Sequence, residues 1–184
     1  MRRLSLMAIA VVLCVTLAGC TDEKKVGPID DPTSSSASPT PTKPTAPPLP
    51  AEARGDTPKA ATKFVAHYIA LMNYSASTGD TAAMKAASQN CTGCEGYINL
   101  YEKTYAAGGF FEDPRWRMKD PIAHRVDDHV TVLFAVDAPQ SKFKLKKGDS
   151  LAVGEGGSYK LRLDVTHQTD RWSVNVLAEQ PKIS

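Results

Sequence analysis

The sequence predicts an α+β fold in which about three N-terminal helices pack on a curved antiparallel sheet of about five strands. Two observations carry this. Between Thr57 and Tyr105 apolar residues recur at helical spacing, and from Asp113 onward the period changes to two. Helices first and strands after, within about 130 residues, is the order of an α+β domain built on one core.

Thr57-Pro58 reads as a helix cap followed by proline at the first helical position. Phe64, Val65, Tyr68, Leu71 and Met72 then mark one buried face, and Gly79 ends the helix. Asp80 caps a short second helix running to about Ala87. After a turn at Asn90–Cys94, a third helix carries Tyr97, Ile98, Tyr101 and Tyr105 and stops at Gly108-Gly109.

Trp116 and Met118 open the first strand, which breaks at Asp120-Pro121 and resumes through Ile122, His124 and Val126. Val130, Val132, Phe134 and Val136 alternate on the next, and Phe143 and Leu145 alternate with lysines on the third. Tyr159, Leu161, Leu163 and Val165 lead into Trp172, Val174 and Val176. A one-residue slip would swap the faces, so the apolar pattern implies registers. An odd loop at Asp127-Asp128-His129 sets His124 opposite Val132 and Ile122 opposite Phe134; a two-residue loop would set Arg125 against Val130. In the last hairpin an even loop pairs Val165 with Trp172, Leu163 with Val174 and Leu161 with Val176. Each hairpin then shows one apolar face to the helices.

The N-terminus has a different character. Met1-Arg2-Arg3 is a charged start, Leu4 to Leu17 is almost wholly apolar, and small residues follow, as in an export signal. The run is too short for a comfortable membrane span, which needs about 20 apolar residues. Leu17-Ala18-Gly19-Cys20 resembles the lipobox of bacterial lipoproteins. The resemblance implies cleavage after residue 19 and a lipidated Cys20, hence a protein held on the outer face of the cell membrane. Two acyl chains suffice for stable attachment. Residues 20–56 hold eight of the thirteen prolines and no aromatic residue, which reads as a disordered Pro/Thr/Ser stalk. The folded domain is then expected over 57–184.

From Thr57 onward 16 Lys and Arg face 14 Asp and Glu, without the basic excess of a nucleic-acid binder. The pattern Phe64…Tyr68…Asn73-Tyr74…Thr78-Gly79-Asp80, followed by Cys91-x-x-Cys94, is similar to a family of uncharacterised actinobacterial lipoproteins. That family, like the helix-then-meander order, resembles the cone-shaped nuclear-transport-factor-2-like fold, which implies a sheet wrapping helices around a pocket. It implies no activity.

With Cys14 removed and Cys20 lipidated, Cys91 and Cys94 remain as an even pair in an oxidising setting, where a disulfide is the default. Cys91-Thr92-Gly93-Cys94 is open to three readings: a structural disulfide, a dithiol redox centre favoured by a helix N-terminus, and half a zinc site. A helix rather than a strand precedes the pair, and no histidine stands at ligand spacing, so the structural reading leads and no metal is expected.

Lys142, Lys144, Lys146 and Lys147 read as a solvated or edge-protecting strand face, or else as a surface for anionic headgroups or wall polymer. Aromatic residues could line a pocket, with Tyr68, Tyr105, Trp116 and His124 as its candidates. His124 is notable because the expected register puts it on the apolar face. Asp137 points away from that face and is a poor partner for it. No phosphate loop, zinc-helix histidine pair or serine nucleophile turn is present, and no cofactor is implied.

The sequence therefore points to a lipid-anchored envelope protein whose domain binds an envelope protein, a wall polymer or a small apolar ligand. The competing classes are a cone-fold enzyme with an acid–base residue in its pocket and a thiol oxidoreductase at Cys91 and Cys94.

Overall fold

The computed structural model describes residues 44–180; the expected signal segment, Cys20 and most of the expected stalk lie outside them. Helix α1 (Pro58–Thr78) starts on Thr57, whose Oγ1 accepts the Ala60 N–H at 3.1 Å. It ends on Gly79 at φ 74°, where the N–H donates to Ser75 O. Glycine is required there twice over, because a Cβ would stand 2.4 Å from Tyr105 Cγ. Helix α2 (Ala82–Ala86) is short, and α3 (Thr92–Ala106) begins at Cys91, whose Sγ accepts the Cys94 N–H. At Gly93 a Cβ would lie 2.0 Å from Leu177 O, so only glycine lets α3 approach the last strand this closely.

The strands differ from the single sheet of about five expected from alternation. Among the described residues seven strands form two antiparallel sheets. They are β1 (Gly108–Glu112), β2 (Arg117–Val126), β3 (His129–Ala138), β4 (Ser141–Lys146), β5 (Ala152–Gly154), β6 (Gly157–Gln168) and β7 (Arg171–Glu179). One sheet runs β2-β3-β6-β7 and the other β1-β4-β5. The two missed strands leave little periodic signal. Gly108, at φ 75°, does end α3, but the next residues pair at once with β4, Phe111 opposite Phe143. Strand β5 is only three residues long.

Both predicted registers are corrected as well. The first hairpin has a two-residue loop, Asp127-Asp128, with Asp127 at φ 49°, so Arg125 lies opposite Val130 and His124 opposite Thr131. Asp120 and Pro121 form a bulge between Lys119 and Ile122, and the extra residue reverses the faces beyond it. Met118 and Ala123 pack toward the core, while Ile122 is 66% exposed. The second hairpin turns on Thr169 and Asp170, both at positive φ, which pairs Val165 with Val174. A second bulge at Asp164/Val165 then brings Leu177, rather than Val176, opposite Leu163.

The core lies between α1 and the four-stranded sheet. Phe64, Val65, Tyr68 and Met72 meet Val130, Val132, Phe134, Leu161, Leu163 and Val174, all buried. The outer edge of β7 is covered: Gln89 N–H donates to Val174 O, and Val174 N–H to Ala87 O. Residues 44–56, placed in the stalk by composition, run along this domain. Ala53 is fully buried, Trp172 Nε1 donates to Gly55 O at 3.1 Å, and Arg125 pairs with Asp56 at 2.5 Å. Proline content says little about whether a small side chain such as Ala53 finds a buried seat.

Candidate functional site

Asn73 on α1 fixes the residue around which the site is built. Its Nδ2 donates to Trp116 O and its Oδ1 accepts the Trp116 N–H, both at 2.9 Å. The chain entering β2 is thereby held from both sides, and the indole is presented to α3 and β6. Tyr97 meets Trp116 edge-on at 5.6 Å between centroids, and Tyr159 stacks with it at 6.5 Å.

The rings continue from there. Tyr97 adjoins Tyr101 at 6.3 Å, Tyr101 meets Phe111 edge-on at 5.6 Å, and Phe111 stacks on Phe143 at 5.9 Å. Six aromatic side chains thus bridge β6, α3, β1 and β4, where the two sheets part. Two adjoining cavities follow this row and share Tyr97, Trp116, Pro139 and Ser141. The first, of about 170 Å³, is walled by Met72, Leu100, Tyr101, Phe111 and Phe143 and is mainly apolar. The second, of about 250 Å³, is walled by Tyr159 and Leu161 and rimmed by the exposed Glu155 and Glu179.

Tyr101 is the site's main polar group. It is 6% exposed and lines the first cavity, yet its hydroxyl has no hydrogen bond within the described residues. Burial pushes its phenol pKa up, and the neighbouring Tyr97 and Tyr68 add to this. Burial also raises Tyr97, followed by the Glu179 carboxylate and Tyr159. Both are therefore neutral phenols able to donate a hydrogen bond. Arg115, at the mouth, is paired with Asp113 at 2.7 Å.

The residues expected to form a pocket are not brought together. Trp116 lines both cavities. Tyr68 is fully buried in the core; Ser88 lies near its hydroxyl without hydrogen-bonding geometry, its own Oγ donating to Met84 O. Tyr105 spends its hydroxyl on Ala76 O at 2.8 Å. His124 is exposed on edge strand β2, outside the apolar face, because the bulge at Asp120-Pro121 reverses the alternation that predicted it. Asn73, Phe111 and Phe143 are the contributors that sequence reasoning missed as site residues. Asn73 stands in a motif the sequence singled out, whereas Phe111 follows two glycines that hide its strand.

Cys91 and Cys94 form a disulfide with Cα atoms 5.2 Å apart, and the two residues are 2% and 0% exposed. No sulfur is offered to a partner thiol. Among the described residues no group of His, Cys, Asp or Glu is placed to hold a metal ion, and no helix is long and apolar enough to cross a membrane. A more open hollow of about 480 Å³ lies by Ile122, Leu133, Ala135 and Lys160, without a buried unpaired polar group.

An α+β protein, with helices laid on two antiparallel sheets and an aromatic-lined cavity where the sheets part, is the class these elements define. The chain belongs to DUF6318, a family of unknown function, whose sequence model matches residues 34–178. No curated protein matches the sequence. Among solved structures, the intermembrane space region of the chloroplast protein ARC6 is similar over 70% of this chain and 99% of that one, at 9% identity and TM-score 0.52, a likeness of fold. Looser likenesses are Aln2 from a Streptomyces species (14% identity, TM-score 0.43, 65% of this chain and 86% of that one) and an NTF2-like protein with a cystatin-like fold from Novosphingobium aromaticivorans (10%, 0.40, 67% and 82%).

Proposed function

We propose that this is a lipid-anchored protein of the outer face of the cell membrane, whose cone-like domain binds a small, largely apolar ligand. The observation that carries the binding part is the row of six aromatic side chains along the two cavities, where Tyr101 lines the first and its hydroxyl makes no hydrogen bond among the described residues. A ligand with an apolar body and one acceptor oxygen would take a hydrogen bond from Tyr101 and bury apolar area against Trp116, Phe111 and Phe143. The anchor rests on Leu17-Ala18-Gly19-Cys20 and the charged, apolar run before it.

Binding is favoured over catalysis because the carboxylates near the cavities, Glu155 and Glu179, stand in water at the rim. A general base is normally poised by desolvation and placed against the reacting atom. Neither cavity is lined by histidine or cysteine. The buried sulfurs of Cys91 and Cys94 argue against a redox role.

Gentle detergent extraction followed by native mass spectrometry tests the binding reading. The protein should retain a small molecule of low polarity that Trp116→Ala releases; an empty protein in both forms would refute it. Labelled fatty acid should enter the chain and fail to enter Cys20→Ala, and labelling of both would refute the anchor.

A further inference from the structure

The lysine run finds a different setting from the one its sequence suggests. Strand β4 pairs with β1 through Lys142–Lys146 but with β5 only at Ser141–Phe143, so Lys142 lies between two strands while Lys144 and Lys146 are paired on one side only. Lysine is a poor strand former, and three on one face of one strand repel one another. Among the described residues none of Lys142, Lys144, Lys146 and Lys147 has an ion-pair partner.

Register shows what shares that face. Phe110 on β1 lies opposite Lys144, and Val153 on β5 lies opposite Lys142, so apolar and cationic side chains alternate across the sheet. Phe110 is 37% exposed, Val153 59%, and Leu151, just before β5, 47%. The face also carries one acid, Glu112, opposite Lys142. The other face of the same sheet turns Phe111 and Phe143 toward the aromatic row.

We propose that the outer face of the β1-β4-β5 sheet docks on an anionic lipid surface, with the lysines among the headgroups and Phe110, Leu151 and Val153 at the acyl boundary. Charge complementarity calls for an anionic partner. The exposed apolar side chains select a bilayer over a soluble anionic polymer, which would leave them in water. This contact belongs to the folded domain and does not depend on an acyl chain at Cys20.

The test uses the full chain with Cys14→Ser and Cys20→Ser, so that Val153→Cys adds the one free thiol for an environment-sensitive fluorophore. The same label at Arg171→Cys, on the four-stranded sheet, is the control. With phosphatidylcholine vesicles containing a third phosphatidylglycerol, the label at 153 should brighten and shift to the blue. It should not respond to phosphatidylcholine alone, the control should not respond to either, and high salt should reverse the change. Lys142→Gln with Lys144→Gln should weaken the partition about thirty-fold, each lysine near an anionic leaflet contributing about a factor of five. No response at 153, or equal responses at 153 and 171, overturns the proposal. So does tighter binding to soluble polyglutamate with no spectral shift, which would make the partner a polymer. Should the double variant fail to fold, the salt and lipid dependence of the parent label still decides.

Discussion

Asn73 and Trp116 lie 43 positions apart and are joined by two hydrogen bonds of 2.9 Å, one through each end of the Asn73 amide. The helix thus holds the backbone on which the cavity's central ring is carried, and Trp116 is positioned before β2 begins pairing.

Removing that clamp leaves the Trp116 N–H and C=O without their partners in a partly buried place. Asn73→Ala should lower the unfolding free energy by about 1–3 kcal/mol, the usual cost of unsatisfied groups, read as a lower urea midpoint. Asn73→Asp keeps the acceptor but sets a second oxygen against the Trp116 carbonyl, so it should fail to restore the parent midpoint. In both, Trp116 emission should move to the red; an unchanged midpoint in Asn73→Ala would show that the clamp contributes nothing.

Tyr101 predicts a split between stability and binding. Its hydroxyl makes no hydrogen bond among the described residues, so Tyr101→Phe removes no internal bond and leaves the ring packing on Phe111. The variant should match the parent in stability to within about 0.5 kcal/mol. Ligand affinity should fall about tenfold through the lost hydrogen bond. A destabilised variant with unchanged affinity would show that the hydroxyl serves the fold rather than the site.

The same burial sets an alkaline limit. Tyr68 and Tyr101 hold their phenol protons above the ordinary value of 10.0, chiefly through burial. The unfolded chain releases those protons near pH 10 while the folded chain keeps them, so above that pH the folded state binds more protons and stability falls as pH rises. Below pH 10 the contribution is fully present. An absorbance titration at 295 nm should show two of the six tyrosines ionising only with unfolding; six ionising together before it would refute the assignment.

How far the sequence led depends on the kind of signal. The ends of α1 were legible because Thr57-Pro58 and Gly79 act locally, through a cap, a fixed φ and a left-handed residue. Sheet parity was not, because a bulge is one residue out of step. Asp120-Pro121 and Asp164/Val165 each reverse a face, which is why His124 was expected inside and Leu177 was not. The aromatic residues of α3 were visible as a group. That Tyr97 and Tyr101 meet Trp116, Phe111 and Phe143 depends on contacts between distant strands, for which one sequence carries no local mark.

The Cys91–Cys94 bond should behave as a structural closure. Both residues are buried, so in the folded protein a thiol reductant should react slowly and trapping reagents should find no free thiol there. Closing so short a loop contributes about 2 kcal/mol by the chain-entropy estimate and the cap about 1 more, so Cys91→Ala with Cys94→Ala should lose about 3 kcal/mol. Part of the loss has a second origin, since Cys91 Sγ also accepts the Cys94 N–H at the start of α3. Cys91→Ser with Cys94→Ala removes the bond but keeps an N-terminal cap, and should recover about 1 kcal/mol of it. Equal stability of the two double variants would assign the whole effect to loop closure. Rapid reduction in the native state, with turnover of a disulfide substrate, would instead restore the redox reading.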